Sequence, residues 1–327
     1  MSNKKVIALL LSLSFTTGYA EIFELPPAGF DVIGAIATVT ARDEDTLVEI
    51  ARRHGLGYED IVRANPGVNI WVPGEGTQIV LPTRYVLPPG PRSGLVLNVA
   101  EYRLYYYPMP KEGEPAYVMT YPVSIGRQDW ETPLGMTEII AKAVNPSWYP
   151  PQSVRDEHLA DGDPLPPVVP PGPDNPLGKH AMRLGMPGYL IHGTNKPAGV
   201  GMRVSHGCVR MFPEDIEFLF DRVATRTKVR IINAPIKFGW DGDELVIEAH
   251  PVLAATEPEM EHVMAAHEVP AVRDQLTTVT ELFIAATYER SGELDWSRAE
   301  EVIDRADGIP VAVGLGIKNA ATSAALE

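Results

Sequence analysis

Cysteine, basic residues and long hydrophobic runs are all scarce in this sequence. One cysteine among 327 residues excludes an intramolecular disulfide, so a packed core must stabilise the fold. The 28 Lys and Arg residues are outnumbered by 43 Asp and Glu residues, which gives a net charge of −15. That balance argues against nucleic acid as a partner, because a nucleic-acid binder needs a basic surface to displace counterions. Hydrophobic residues nevertheless make up 45% of the chain, enough for globular cores.

Proline, in contrast, is abundant. The 31 prolines are about twice the usual share, so long stretches must be loop or extended chain. Ten of them fall in residues 146–176, which predicts an extended insertion without regular structure. Such a loop could be the wall or lid of a site, or it could run through solvent. The chain length suggests two or three domains, because single cores rarely exceed about 250 residues.

The first 20 residues have the three parts of a secretory signal peptide. Two lysines give a positive start, residues 6–15 are apolar, and small side chains lead to a cleavage point near Ala20. The apolar run is shorter than the roughly 20 residues of a membrane span, although a retained N-terminal anchor is the alternative. We therefore expect residues 1–20 to be a cleaved signal peptide and the mature protein to be exported.

Residues 37–83 are predicted to form a strand, two helices and a second strand. A capping box of Thr46 and Glu49 marks the first helix start, because each side chain binds an exposed backbone N–H. Gly55 ends this helix, and a second short helix is expected over residues 58–64. Short strands before and after the helices complete a βααβ unit.

This unit resembles a LysM module. The stretches DTLVEIARRHGL, DIVRANPGV and PGEGTQIVLP carry the resemblance. LysM modules bind the N-acetylglucosamine-containing glycan strands of peptidoglycan, so the resemblance implies peptidoglycan as a partner. A module that has degenerated into a spacer is the alternative. The prolines of residues 88–91 predict a stiff linker after the module.

Residues 94–234 are predicted to form a second, mainly β domain. Stretches with strand composition, separated by Gly and Pro, lie at residues 95–99, 104–107, 117–125, 138–143 and 189–192. Strands at this density indicate a mainly β fold rather than a helical one.

The segment IHGTNKPAGVGMRVSHGCVRM, residues 191–211, concentrates the chemically useful side chains. It contains Cys208, the only cysteine, together with His192 and His206. A cysteine nucleophile needs a base, a group that orients the base, and donors for the oxyanion formed during attack. His192 could be the base, and Gly207 would let backbone N–H groups approach closely enough to hold the oxyanion.

Other interpretations of these residues remain open on composition alone. A lone cysteine is usually a small buried hydrophobe. Cys208, His192 and His206 could also bind zinc, although a fourth ligand and an HExxH frame are lacking. Ser205 suits a supporting hydrogen bond. Export favours a catalytic thiol, because idle thiols are oxidised outside the cytosol.

The same segment resembles the signature of the YkuD-type L,D-transpeptidase catalytic domain. IHGT followed by SHGCVRM carries the resemblance, and RLYYYP, NPSWYPP and PPGPDNPLGKHAMRL agree upstream. It spans about residues 94–234 and points to Gram-negative envelope enzymes that carry a signal peptide and a LysM module. It implies a mainly β catalytic domain with the L,D-transpeptidase fold, a small βααβ LysM domain and a periplasmic location.

By this resemblance, Cys208 is the nucleophile and His192 is the general base and acid, while the Gly193 carbonyl orients the imidazole. Cys208 would attack the carbonyl that joins meso-diaminopimelate to the terminal D-alanine of a peptidoglycan tetrapeptide stem, releasing D-Ala. The acceptor would be a stem diaminopimelate amine, giving a 3-3 cross-link, or a lysine of an envelope lipoprotein. An exported cysteine hydrolase of the same stems and a non-catalytic wall-binding protein are the alternatives.

The resemblance also implies supporting roles. His206 and Ser205 would support the loop, and the N–H groups of Gly207 and Cys208 would hold the oxyanion. Arg210 stands where many family members have Asn, and it would either bind a substrate carboxylate or hold the loop. No metal and no organic cofactor is implied, and a carbapenem is expected to acylate Cys208.

Residues 235–327 are predicted to form a mixed, partly helical C-terminal subdomain. Residues 238–247 have the pattern of a hairpin around Asp241-Gly242. Helices are expected near residues 257–267, 272–290 and 295–306, the last capped by Asp295. The role of this subdomain is open, either partner docking or stability.

Overall fold

The structure, a computed structural model, describes residues 21–253 and 270–317. The predicted signal peptide, residues 1–20, and the predicted helix at 257–267 lie outside these residues. Among the described helices, none combines the length and apolar character that crossing a membrane requires.

Short β-strands provide most of the regular structure. The strands of the N-terminal and catalytic regions are β1 (Glu21–Glu24), β2 (Val32–Gly34), β3 (Ala37–Thr40), β4 (Gln78–Leu81), β5 (Arg84–Val86), β6 (Gly94–Asn98), β7 (Arg103–Tyr107), β8 (Tyr117–Gly126), β9 (Gly135–Val144), β10 (His180–Leu184), β11 (Leu190–His192), β12 (Arg203–Ser205), β13 (Val209–Met211) and β14 (Lys228–Ile232). The C-terminal strands are β15 (Ile236–Asp241), β16 (Glu244–Ala249), β17 (Gly292–Leu294) and β18 (Val311–Gly316). The helices are α1 (Leu47–Arg53), α2 (Tyr58–Ala64), α3 (Gln152–Ala160), α4 (Pro213–Arg222), α5 (Pro270–Thr287) and α6 (Trp296–Arg305).

The central element is a closed, barrel-like sheet. Its strands follow the order β8-β13-β11-β10-β9-β14-β6-β7, and β7 pairs again with β8 to close the ring. Closure leaves no free edge between these strands. Buried apolar side chains from most of these strands and from α4 fill one core, with Leu95, Tyr121, Ile191 and Leu219 among its fully buried members. The predicted mainly β fold is confirmed.

The βααβ unit is built as its local sequence predicts. The Thr46 hydroxyl accepts the Glu49 N–H at 3.1 Å, and the Glu49 carboxylate accepts the Thr46 N–H at 3.3 Å, so the capping box is present. Asn65 is buried and ties α2 to β4, because its side chain both donates to the Val80 carbonyl (2.9 Å) and accepts the Val80 N–H (2.7 Å). The assignment of this unit as a LysM module stays a prediction.

The proline-rich insertion contains regular structure, so the prediction that residues 146–176 would have none was wrong. Helix α3 begins directly after Pro151 and occupies the part of the insertion that has no proline, residues 152–163. Proline restricts the chain only where it occurs, and it is compatible with the position before a helix.

The C-terminal region is a four-stranded sheet covered by two helices. Strands lie in the order β15-β16-β18-β17, and β15 with β16 forms the predicted hairpin. The predicted cap is present, since Asp295 accepts the Arg298 N–H at 3.1 Å. Helices α5 and α6 pack on the sheet through a separate apolar core that includes Ile247, Val279 and Val302.

Candidate active site

Two neighbouring parallel strands of the barrel bring the predicted catalytic pair to one place. In the β11–β13 pairing, His192 lies opposite Arg210. Cys208 directly precedes β13, so this pairing brings it close to the end of β11, where His192 lies. The pairing explains how residues 16 positions apart in the sequence meet at one end of a strand pair.

Both side chains line one cavity of about 510 Å³. Its polar wall contains Ser205, His206, Cys208, Arg210, His192 and Arg183. The proline-rich insertion supplies many of the other lining residues, namely Pro146, Ser147, Trp148, Tyr149, Pro151, Val154 and Pro176. The insertion is therefore a wall of the site rather than an excursion into solvent.

Cys208 is half-buried and not in a disulfide. Its Sγ lies 3.6 Å from the Gly188 carbonyl oxygen, to which the thiol donates. Burial raises the pKa of the Cys208 thiol, against the opposing effects of a hydrogen bond from the Leu190 backbone and the nearby charge of Arg210. The resting side chain is thus a neutral thiol at pH 7, and a base is needed to make it a nucleophile.

His192 is buried and held by its neighbour. Its Nδ1 lies 2.6 Å from the Gly193 carbonyl oxygen, so Nδ1–H donates and Nε2 remains able to accept a proton. Burial, with the charge of Arg210, lowers the pKa of His192 to about 3, against the raising effect of the Gly193 and Leu177 carbonyls. His192 is therefore neutral at physiological pH, the form that can act as a base.

The loop around Cys208 is held in shape by hydroxyl groups. Ser205 is buried and donates to the Cys208 carbonyl at 2.5 Å. Gly207 has a φ of +93°, and a Cβ there would come within 2.7 Å of the Tyr189 ring, so only glycine fits. Thr132 was not predicted from the sequence, yet its hydroxyl donates to the Gly207 carbonyl at 2.8 Å.

A second unpredicted residue, Glu157 on α3, connects the insertion to this loop. The His206 Nε2 lies 3.0 Å from a Glu157 oxygen, and Arg127 pairs with the same carboxylate. The Trp130 ring packs edge-on against His206 at 5.2 Å. Burial lowers the pKa of His206, although the Glu157 hydrogen bond opposes that shift. His206 therefore faces Glu157 while His192 faces Gly193, so the two rings have different partners.

Arginine side chains give the cavity a positive character that contrasts with the acidic chain. Arg210 lies on β13 beside Cys208, and its Nε is buried without a hydrogen-bond partner. Arg183 on β10 also lines the cavity. An unpaired buried donor at a cavity wall is costly until an acceptor binds, so Arg210 is equipped to bind an anionic group.

A cluster resembling a metal site lies elsewhere in the described residues. Oxygen and nitrogen atoms of Glu101, Glu248 and His250 lie within 4.8 Å of one another. The Lys237 ammonium, however, lies 2.7 Å from Glu101 and 2.8 Å from Glu248. A lysine cation therefore already neutralises the carboxylates there.

Comparison with known proteins agrees with this geometry. The sequence model of the YkuD family, described as an L,D-transpeptidase catalytic domain, matches residues 92–231. A Salmonella typhimurium LT2 protein named "Probable L,D-transpeptidase ErfK/SrfK" is 38% identical, over 90% of this chain and 91% of its own length. An Escherichia coli K12 protein named "Probable L,D-transpeptidase YcfS" is 37% identical, over 90% of this chain and 88% of its own.

Among solved structures, an L,D-transpeptidase from Mycobacterium smegmatis aligns with a TM-score of 0.33 and 19% identity, over 65% of this chain and 99% of that one. That likeness is too distant to add to the assignment, which depends on the sequence relatives. They confirm the resemblance, and the chain belongs to the L,D-transpeptidase family of enzymes.

Proposed function

We propose that this enzyme is a periplasmic L,D-transpeptidase in which Cys208 attacks a peptidoglycan tetrapeptide stem and transfers it to an amine. The observation that carries the proposal is the convergence of a neutral thiol, Cys208, and a neutral imidazole, His192, on one cavity. Membership of the family supplies the reaction class.

The first half of the reaction makes a thioester. His192 Nε2 accepts the thiol proton as Sγ of Cys208 attacks the carbonyl between meso-diaminopimelate and the terminal D-alanine. The proton on His192 then passes to the leaving nitrogen, the C–N bond breaks, and D-Ala departs. The Gly193 carbonyl stabilises the transient imidazolium, because it accepts the Nδ1–H at 2.6 Å.

The second half resolves the thioester. An acceptor amine attacks the carbonyl, His192 accepts a proton from it, and the new amide forms as the Cys208 thiolate leaves and is reprotonated. In both halves, the backbone N–H groups of Gly207 and Cys208 hold the oxyanion. The positive φ of Gly207 and the Ser205 bond to the Cys208 carbonyl support this assignment, since both fix the loop before substrate binds.

Arg210 is proposed to bind a carboxylate of the donor stem. Its unpartnered, buried Nε favours this role over merely holding the loop. The terminal D-alanine presents a carboxylate next to the scissile bond, and the diaminopimelate carries a second one at the end of its side chain. His206 is assigned to loop support, because Glu157 and Trp130 contact it on the side of α3.

The domain boundaries are proposed as a signal peptide at 1–20, a LysM module at 37–83, the catalytic domain at 94–234 and a C-terminal subdomain at 235–327. The three-part N-terminal sequence supports export. On the βααβ unit, Trp71 is 64% exposed in a loop fixed by Asn69, which accepts its N–H at 2.9 Å. An exposed, rigid aromatic side chain is suited to packing on a sugar ring.

Experiment can decide between the two acceptors, a stem diaminopimelate amine and a lipoprotein lysine. Mature protein would be incubated with disaccharide-tetrapeptide, with and without a lipoprotein C-terminal peptide that ends in lysine, and the products weighed by mass spectrometry. A stem–stem dimer identifies 3-3 cross-linking, a stem–peptide adduct identifies lipoprotein attachment, and water as the acceptor despite abundant amine identifies a hydrolase. Absence of both D-Ala release and an acyl-enzyme would overturn the proposal.

A carbapenem offers an independent test of the nucleophile. Its β-lactam carbonyl should be attacked by Cys208, the ring should open, and the intact protein should gain the mass of the drug. The Cys208→Ala variant should gain none. A wall-binding protein without catalytic activity would leave both proteins at their original mass.

A further inference from the structure

The βααβ module contacts the catalytic barrel directly, through charged groups on both sides. Arg52 on α1 forms a two-pronged ion pair with Glu214 at the start of α4, with N–O distances of 2.7 and 2.8 Å. Arg103 on β7, which is 1% exposed, pairs with Asp60 on α2 at 2.7 Å. Two-pronged guanidinium–carboxylate pairs fix orientation as well as distance.

Backbone contacts reinforce this docking. The N–H of Tyr58, the first residue of α2, donates to the Val200 carbonyl at 2.9 Å, and Glu59 N–H donates to Gly201 at 3.4 Å. The two backbones touch, since a Cβ on Gly57 would come within 2.7 Å of the Gly201 Cα. Contacts between backbones this close leave no room for an intervening layer of side chains.

The loop that receives α2 is the one that leads to the nucleophile. Val200 and Gly201 lie between His192 and Cys208 in the sequence, directly before β12. The Ser124 hydroxyl, from β8 of the barrel, donates to the neighbouring Gly199 carbonyl at 2.7 Å. The module and the catalytic cavity therefore share one anchored loop, and their relative position is fixed by more than a linker.

We infer that the module acts as a fixed guide that presents stems still attached to a glycan strand, so that the preferred donor is polymeric peptidoglycan rather than a free muropeptide. This inference rests on the proposed function, since it requires that the module binds glycan and that the cavity binds stems. A strand held by a docked module brings its stems to the cavity at a set distance and orientation.

Docking and tethering differ in what they predict. A flexible tether raises only the local concentration of enzyme at the wall, and that gain survives if the module swings freely. A docked module also restricts the orientation of the bound strand. That restriction is lost if the contact is broken, even though the linker remains. Variants that break the contact therefore distinguish a docked module from a flexible tether.

Two variants break the contact from the module side without touching the cavity. Arg52→Glu places two carboxylates opposite each other, and the swapped pair Arg52→Glu with Glu214→Arg restores attraction. Gly57→Leu inserts a side chain between the backbones, and the φ of −87° at Gly57 is accessible to leucine. Arg53→Glu is the matched control, because its partner Asp45 belongs to the module itself.

The measurement is the rate of D-Ala release from purified sacculi and from soluble disaccharide-tetrapeptide, with hydrogen exchange at Tyr58 and Glu59 reporting undocking. We expect the undocked variants to lose about tenfold or more of their rate on sacculi and none on the soluble donor. The swapped pair should recover the sacculus rate, and Arg53→Glu should keep it.

Three results would overturn the inference. An undocked variant with the wild-type rate on sacculi would mean that the module is only a tether. Equal losses on both donors would mean that the contact supports the cavity rather than guiding the strand. No D-Ala release by the wild-type enzyme from either donor would remove the proposed function, and this inference with it.

Discussion

Two buried polar clusters in this enzyme are built in opposite ways. In the catalytic cavity, Cys208 has a single weak acceptor and the Arg210 Nε has no partner. In the cluster of Glu101, Lys237, Glu248 and His250, which we call the lysine network, the charges are paired with one another. Lys237 contacts both carboxylates and also donates to the Val86 carbonyl at 2.6 Å.

The difference shows how to separate a working site from a structural one. Burial alone would raise the pKa of Glu248, but Lys237 and His250 outweigh it and lower that pKa to about 2. Lys237 thus holds the network together, while burial raises the pKa of Glu101 and leaves its Oε1 without a hydrogen-bond partner. The network also joins three parts of the chain, because Val86 follows the module, Glu101 belongs to the barrel, and Lys237 lies on β15.

Replacing Cys208, the proposed nucleophile, should have the largest effect on function and almost none on the fold. Cys208→Ala removes a half-buried thiol that makes only weak contacts with the Gly188 and Leu190 backbone, so the fold should persist while D-Ala release falls on the order of 10⁴-fold or more. Its thermal midpoint should remain near that of the wild type by calorimetry. Residual acyl transfer of more than a few per cent would contradict the assignment of Cys208.

Replacing Lys237, the central lysine of the network, should mainly lower the stability of the fold. Lys237→Met leaves buried carboxylates without their cation, a change that typically costs about 3–5 kcal/mol of unfolding free energy. Denaturant unfolding would measure it. Lys228→Met is the control, because its ion pair with Glu138 is exposed, and its midpoint should hardly change. A Lys237→Met protein as stable as this control would show that the network is not structural.

Glu157 lies between these extremes, because it does not line the cavity but contacts His206 in the loop that carries Cys208. Glu157→Ala should lower kcat by about 10- to 100-fold, with KM little changed, because small displacements of catalytic groups carry penalties of that size. Asp156→Ala, one residue earlier on α3 and hydrogen-bonded to Gln152, is the control and should leave kcat unchanged. Equal effects of the two substitutions would contradict a positioning role for Glu157.

The alkylation rate of Cys208 should rise smoothly with pH through the physiological range and show no inflection there. Because burial holds the thiol pKa above its ordinary value of 9.0, the thiolate fraction and the alkylation rate should keep rising beyond pH 9. His192, with a pKa lowered to about 3, stays neutral from pH 5 to 8 and should add no inflection there. An alkylation rate that levels off near pH 6 would instead indicate a thiolate–imidazolium pair.

The sequence could predict those features that depend on residues close together in the chain. The Thr46 capping box, the Asp295 cap and the five predicted strands of the barrel depend on neighbouring residues, and all are present. The contact of Glu157 with His206 joins residues 49 positions apart, and that of Arg52 with Glu214 joins residues 162 apart. No local pattern encodes such pairs, so both required the structure.

Helix α3 illustrates a different failure. The prolines on both sides dominate the composition of residues 146–176, whereas residues 152–163 contain none and can form a helix. The spacing of the prolines, rather than their number, is therefore what indicates helix α3. The motif around Cys208, in contrast, could be recognised because its residues are close in sequence and chemically unusual.

The most direct test of acylation at Cys208 is intact-protein mass spectrometry after mixing the mature enzyme with disaccharide-tetrapeptide. We expect the protein to gain the mass of the donor minus D-Ala, peptide mapping to place the adduct on Cys208, and an added amine to remove it. An unmodified protein whose Cys208 can still be alkylated, with no D-Ala released, would contradict acylation at Cys208.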